Sequence, residues 1–195
     1  MAVTSAPRRP DQKLRIRRAA ARLFAERGYA ATGVEELSQA VGLGRGALYH
    51  HITSKQQLLY DVMTPGVIEV VTEAEALLEE PLGAEATIRR LSAMTMQAVA
   101  QNLDEWTVFF RETAALDGEL RREAFAWRDR FEDVWTAAIE RGVTDGEFRR
   151  LDPIVIKGIL GMHNHAHVWL RPRGRLRPEA IAEKFCDLVL SGLRA

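Results

Sequence analysis

Cysteine is almost absent from this chain. Cys186 stands alone among apolar neighbours, so no internal disulfide can form and no set of bridges substitutes for a core. Long apolar runs are missing too. No stretch approaches the roughly 18 apolar residues of a membrane-spanning helix, and the first residues lack the apolar centre of a secretory signal. These absences predict a soluble protein of the reducing cytoplasm. Strand-like alternation of apolar and polar residues is also absent, as is any internal repeat, which excludes a sheet-built core. The chain even lacks net charge, with 27 basic and 27 acidic residues among 195. What is present is 47% hydrophobic and 28% charged, enough to bury a sizeable core and too apolar to remain disordered.

The zero charge conceals an uneven distribution. Residues 1–60 hold ten basic and four acidic residues, a surplus of six positive charges, and the remainder carries the matching negative surplus. A basic segment beside an acidic body implies a polyanion partner for the N-terminal part, set against a merely solvated helix face. Residues 1–10 read as a basic arm or a frayed terminus.

The stretch 34–55, VEELSQAVGLGRGALYHHITSK, carries the strongest local pattern. Val34, Leu37 and Val41 share one helical face. Gly42 ends that helix, Leu43 anchors the turn, and a short helix 45–51 follows. It exposes Arg45, Gly46, Tyr49 and His50 and buries Ala47, Leu48 and Ile52. Ser54 caps the next helix. Two helices joined by a short glycine turn form a helix-turn-helix, whose second helix enters the DNA major groove. Before it, a helix capped by Asp11 runs to Arg27 and is closed by Gly28, and Thr32 starts the helix of Val34. After it, a helix runs from Ser54 toward Glu80, kinked or broken at Pro65-Gly66. Further helices are predicted over 85–103, 103–115, 119–141 (stopped by Gly142), 154–169 and 178–193. The expected fold is all-α with about nine helices. A three-helix helix-turn-helix domain over 10–60 precedes a six-helix ligand-binding and dimerisation domain over 61–195.

With Ala20-Ala21-Arg22-Leu23-Phe24, Gly28-Tyr29, Thr32, Val34, Leu37, Val41-Gly42, Leu48-Tyr49, His51, Ser54-Lys55 and Leu58-Leu59, residues 16–62 resemble the tetracycline-repressor (TetR) family of transcription regulators. The resemblance implies a homodimeric repressor that binds a palindromic double-stranded operator and releases it when a small molecule enters the body. The implied DNA-binding residues are Thr32, Arg45, Tyr49, His51 and Lys55, and Gly46 and His50 on the exposed face of the short helix complete the expected set. Two glycines depart from the family pattern, because Gly33 and Gly44 replace a polar cap or contact residue. With Gly44 and Gly46 flanking it, Arg45 is the main candidate for a guanine contact, and Tyr49 and Lys55 would hold phosphates. Gly161-Met162-His163-Asn164, Trp169-Leu170-Arg171-Pro172, Gly174 and Pro178 resemble the subgroup responsive to acyl-CoA thioesters. Family members pair through their last two helices, here about 153–169 and 178–193.

Phe109, Trp127, Phe131 and Trp135 read either as core or as the wall of an adaptable apolar pocket, with Asn164, His165 and Trp169 holding a ligand's polar part. Arg111 and Arg128 either meet an anionic ligand group or pair with Glu112 and Glu132. Cys186 reads as a small buried hydrophobe. His163 and His167 lie four apart, as a metal pair would, but no carboxylate or cysteine at matching spacing joins them. No metal and no cofactor are expected. Two rivals stand beside the leading reading: a constitutive helix-turn-helix protein without a ligand, and an all-α metal-dependent enzyme using His163 and His167.

Overall fold

Ile16, Ala20, Leu23 and Phe24 recur three and four apart, and the helix they build, α1 (Gln12–Arg27), buries all four. The computed structural model describes residues 12–194; the expected Asp11 cap and the arm 1–10 lie outside them. Helix α2 (Val34–Val41) buries Leu37 and Val41 and closes on Gly42 at φ 67°. There the amides of Gly42 and Leu43 reach back to the carbonyls of Gln39 and Ser38, at 3.1 and 2.9 Å. Only a residue without Cβ takes that backbone at low cost. Helix α3 (Arg45–Tyr49) follows at once. Ser54 Oγ accepts the Gln57 amide at 3.0 Å and caps α4 (Lys55–Met63). Thr64 ends α4 and opens α5 (Pro65–Leu78), so the junction is a break with proline in the first turn, where its missing N–H costs nothing.

The remaining helices are α6 (Ala84–Gln101), α7 (Leu103–Glu112), α8 (Gly118–Thr144), α9 (Ile154–Asn164), α10 (Ala166–Trp169) and α11 (Pro178–Leu193). A 3-10 turn, Thr113–Ala115, joins α7 to the loop before α8. The fold is all-α, as expected. Helix α1 packs on α2, α4 and α7; α5 lies on α8; α11 lies along α6. No helix among the described residues is long and apolar enough to cross a membrane.

Several local expectations are corrected. Thr32 does not start α2. It is fully buried, and its hydroxyl donates to the Gly28 carbonyl at 2.9 Å, tying off the end of α1. Ala47 is exposed, whereas Leu48 and Ile52 are buried. The helix expected over 154–169 breaks at His165. His167 Nδ1 takes the Asn164 carbonyl at 2.6 Å, and the Val168 amide turns to the His165 carbonyl instead, at 3.1 Å. That break removes the four-residue register between His163 and His167. His163 is buried with both ring nitrogens engaged: Nδ1–H donates to the Ile159 carbonyl at 2.8 Å, leaving Nε2 to accept the Ser92 hydroxyl at 2.8 Å. Burial lowers its pKa and favours the neutral ring, which packs against Trp135 and Phe185.

Gly142 does not stop α8, which continues to Thr144. It makes room instead. The chain turns after α8, Phe148 folds back onto α8, and Glu147 caps α6 from sixty-odd residues away. Its carboxylate accepts the Ala84 and Glu85 amides at 2.8 and 3.1 Å. A Cβ on Gly142 would lie 2.2 Å from Phe148 Cδ2 and 2.7 Å from the Ala84 Cβ. Gly142→Ala gains about 1 kcal/mol of helix propensity, but overpacking costs about 1–3 kcal/mol and displaces the Phe148 turn. The expected outcome is a net loss of stability in denaturant unfolding; an increase would show that the turn relaxes freely.

Candidate functional site

Two surfaces merit description: the exposed face of α3 and a cleft in the helical body. Helix α3 has only five residues, too few to persist alone. Leu48 fixes it, at 0% exposure, in one cluster with Phe24 and Leu37. The opposite side presents Arg45, Gly46, Tyr49 and His50, all exposed, with Tyr49 at 43%. Among the described residues the Arg45 guanidinium has no hydrogen bond or ion pair, in contrast to Arg27, which pairs with Glu36. His51 is half-buried beside Ile52 in the groove between α1 and α4.

Lys55 is more constrained than a surface cation. Its Nζ donates to the Tyr29 carbonyl at 2.7 Å and lies 4.2 Å from the centre of the Tyr29 ring. Partial burial lowers its pKa, with Glu112 opposing. Thr32 leaves the expected set altogether, because its hydroxyl points inward. Thus Arg45, Gly46, Tyr49 and His50 form one open face, Lys55 and His51 flank it, and Thr32 lies beneath.

The cleft, about 340 Å³, opens between α5, α7, α8 and α9. Phe109, Phe131 and Asn164 line it, as expected of them. The other four expected ligand residues do not. Trp135 is fully buried in the core behind Phe131; Trp127 is half-buried under the Arg130 guanidinium, 4.1 Å from its ring centre. His165 and Trp169 are exposed around the helix break, with Trp169 set edge-on to Phe185. Val67, Trp106, Phe110, Glu132, Lys157, Leu160 and Gly161 also line it without having been singled out as ligand residues, and Arg128, read beforehand as an anion contact, lines it as well. Trp106 and Phe110 sit four apart in an aromatic run, and that spacing was the available signal.

Arg128, Glu132 and Lys157 bring charge to this site. Lys157 Nζ pairs with Glu132 at 2.6 Å, and the Arg128 guanidinium touches Asp129 at 3.2 Å. Two lining residues carry buried polar atoms without a partner: Trp106 Nε1, a donor, and Asn164 Oδ1, an acceptor. A buried polar group left unpaired costs about 1–3 kcal/mol; both atoms are sealed from solvent, with Trp106 Nε1 close to Gly66. Among the described residues no three His, Cys, Asp or Glu side chains gather as a metal site would require.

Residues 16–62 match the bacterial regulatory proteins of the tetR family, and residues 81–193 match the tetracyclin repressor-like C-terminal domain. The transcriptional repressor KstR2 of Rhodococcus jostii is 28% identical over 181 residues, covering 89% of this chain and 87% of that protein. The TetR-family regulator PfmR of Thermus thermophilus is 35% identical, with a TM-score of 0.85 over 93% of this chain and 100% of that one. AibR, solved with isovaleryl coenzyme A and operator DNA, is 27% identical, with a TM-score of 0.82 over the same shares. With more than half its length matched by the C-terminal domain and the helix-turn-helix matched beside it, the chain belongs to the TetR family of bacterial transcription regulators.

Proposed function

We propose that this protein is an effector-released repressor. It binds a palindromic operator through α3 and loses it when an acyl-CoA-type molecule fills the cleft of the body. The observation that carries the DNA half is the Arg45 guanidinium, exposed and unpartnered on a helix that Leu48 pins in place. Arg45 reads a base edge, while Tyr49, His50 and Lys55 meet phosphates. The KstR2 repressors and the AibR complex with its coenzyme A thioester support the effector half. So does the aromatic and aliphatic wall of the cleft, formed by Trp106, Phe109, Phe110, Phe131 and Leu160. An enzymatic role finds no support in this arrangement, since the cleft brings together no nucleophile with a base. The protein divides near α4 into a DNA-binding part over 10–60 and a ligand-binding and dimerisation part over 61–195.

Dimerisation through α9 and α11 rests on their exposed apolar faces. Ile154 is 67% exposed, Leu188 is 65% exposed, and a shallow apolar groove runs between them along Val155, Met162 and Val189. A two-fold pair places two α3 helices one DNA turn apart, about 34–36 Å.

Three outcomes test these readings. In gel shifts with the protein's own promoter region, Arg45→Ala loses about 1–3 kcal/mol of discrimination against random DNA. Tyr49→Ala weakens specific and random binding alike; wild-type behaviour in both variants would displace the reading helix from α3. Gly161 lines the cleft with open space beyond its α-carbon, so Gly161→Leu fills the cleft without disturbing the core. An acyl-CoA at a hundred times its Kd stabilises the wild type by about 2.7 kcal/mol, and this rise in Tm should vanish in Gly161→Leu; an undiminished rise places the effector elsewhere. Leu188→Arg should give a monomer in sedimentation velocity and abolish operator binding at nanomolar protein; an intact dimer would move the interface.

A further inference from the structure

The cleft does not end at Phe109 and Phe110. Beyond these two rings lies a second chamber of about 240 Å³, and Phe109, Phe110 and Arg128 line both spaces. The rest of its wall includes Arg111, Thr113 and Phe125. No carboxylate lines this chamber, whereas two guanidinium groups do. The first chamber differs: its Lys157 is neutralised by Glu132. Phe125 is flanked by cations, with Arg128 at 4.5 Å and Arg121 at 5.6 Å from its ring centre. The carboxylate that meets Arg128 belongs to the adjacent Asp129, in a half-exposed pair that competes weakly. A chamber walled mainly by aromatic and aliphatic side chains, with its Lys157–Glu132 pair internally neutral, beside an acid-free cationic one fits a molecule with an apolar head and an anionic tail.

We infer that the second chamber receives the phosphate-bearing tail of a coenzyme A thioester whose acyl group occupies the first, with Arg128 at the junction and Arg111 on the far wall holding the phosphates. This rests on the effector reading above. It also assigns a route for the signal. Arg111 Nη1 donates to the Ala25 carbonyl in the last turn of α1, at 3.0 Å. A phosphate is a stronger acceptor for that N–H than a neutral carbonyl. Binding of the tail therefore draws Arg111 away from Ala25 and frees one polar contact between the body and the helix that packs on α2. The anionic tail carries the signal and the acyl head supplies selectivity.

The test uses the full chain and two probes, octanoyl-CoA and octanoyl-pantetheine, which share the head and differ in the nucleotide phosphates. Titration calorimetry should show the wild type binding octanoyl-CoA at least tenfold tighter, with a preference that falls as salt rises. In Arg111→Gln/Arg128→Gln that preference should disappear; in Arg111→Gln, whose side chain lines the second chamber and not the first, it should shrink while octanoyl-pantetheine binding stays as in the wild type. Both arginines are exposed, and an unchanged melting curve confirms that the variant folds. Arg111→Gln alone should bind octanoyl-CoA yet retain promoter DNA in its presence. A wild type that shows no preference, or a double variant that keeps it, overturns the second chamber. If Gly161→Leu then still abolishes binding of both probes, the effector reading stands without it. A wild type that binds neither probe removes both readings.

Discussion

Burial of one face of α1 is the constraint on which both halves of the molecule depend. Ile16, Ala20, Leu23 and Phe24 are all buried, and α1 meets α2, α4 and α7 at once. Full burial of each large apolar side chain contributes about 1.5–3 kcal/mol, so this stripe is a substantial part of a domain's net stability. Leu48 joins the same cluster, which is how a five-residue helix acquires a fixed orientation. The face of α3 is therefore positioned by α1 rather than by its own hydrogen bonds. Anything that moves α1 against the body moves α3 with it.

Packing of α1 and α4 on α7 resists such movement, and polar contacts add to it: Arg111 reaches the Ala25 carbonyl, and Gln56 Nε2 donates to Asp117 at 2.6 Å. Hydrogen bonds of this kind contribute about 0.5–1.5 kcal/mol each, and they are the part of this joint that can change partners without opening the core. A shift costs little when it exchanges such bonds, because allosteric couplings are themselves only about 1–3 kcal/mol. Helix α7 is suited to that exchange. Trp106, Phe109 and Phe110 line the cleft, and the next residue, Arg111, touches α1.

Much of this was legible in the sequence because it is written in local chemistry. Gly42 needs a left-handed backbone, Ser54 caps its own helix, Pro65 opens a first turn, and Leu48 falls on a buried face; each signal spans four residues or fewer. The chain's features that escaped prediction depend on partners distant in sequence. Thr32 looks like a helix cap until the Gly28 carbonyl is found within its reach. Gly142 looks like a stop until Phe148 and Ala84 are seen to fill the space where a side chain would be. The cap of α6 comes from Glu147, which no window of sequence connects to Ala84. The break at His165 turns on one imidazole taking a carbonyl that the helix would otherwise use. Aromatic residues on α7 and α8 were legible as a group, but which of them face space and which face each other was not: Phe131 lines the cleft while Trp135, one turn on, is sealed behind it.

The same accounting explains why the cleft can be selective rather than merely apolar. An apolar pocket rejects an ill-fitting methylene by only about 1–3 kcal/mol. Lys157 and Glu132, paired at 2.6 Å, and the Arg128 guanidinium add a different kind of discrimination at the same wall. A ligand group set against them must offer hydrogen bonds in place of water or leave a charged group desolvated and unpaired, and that penalty exceeds the loss of a methylene contact. Selectivity in such a cleft depends on the polar atoms of the ligand as well as on its apolar area.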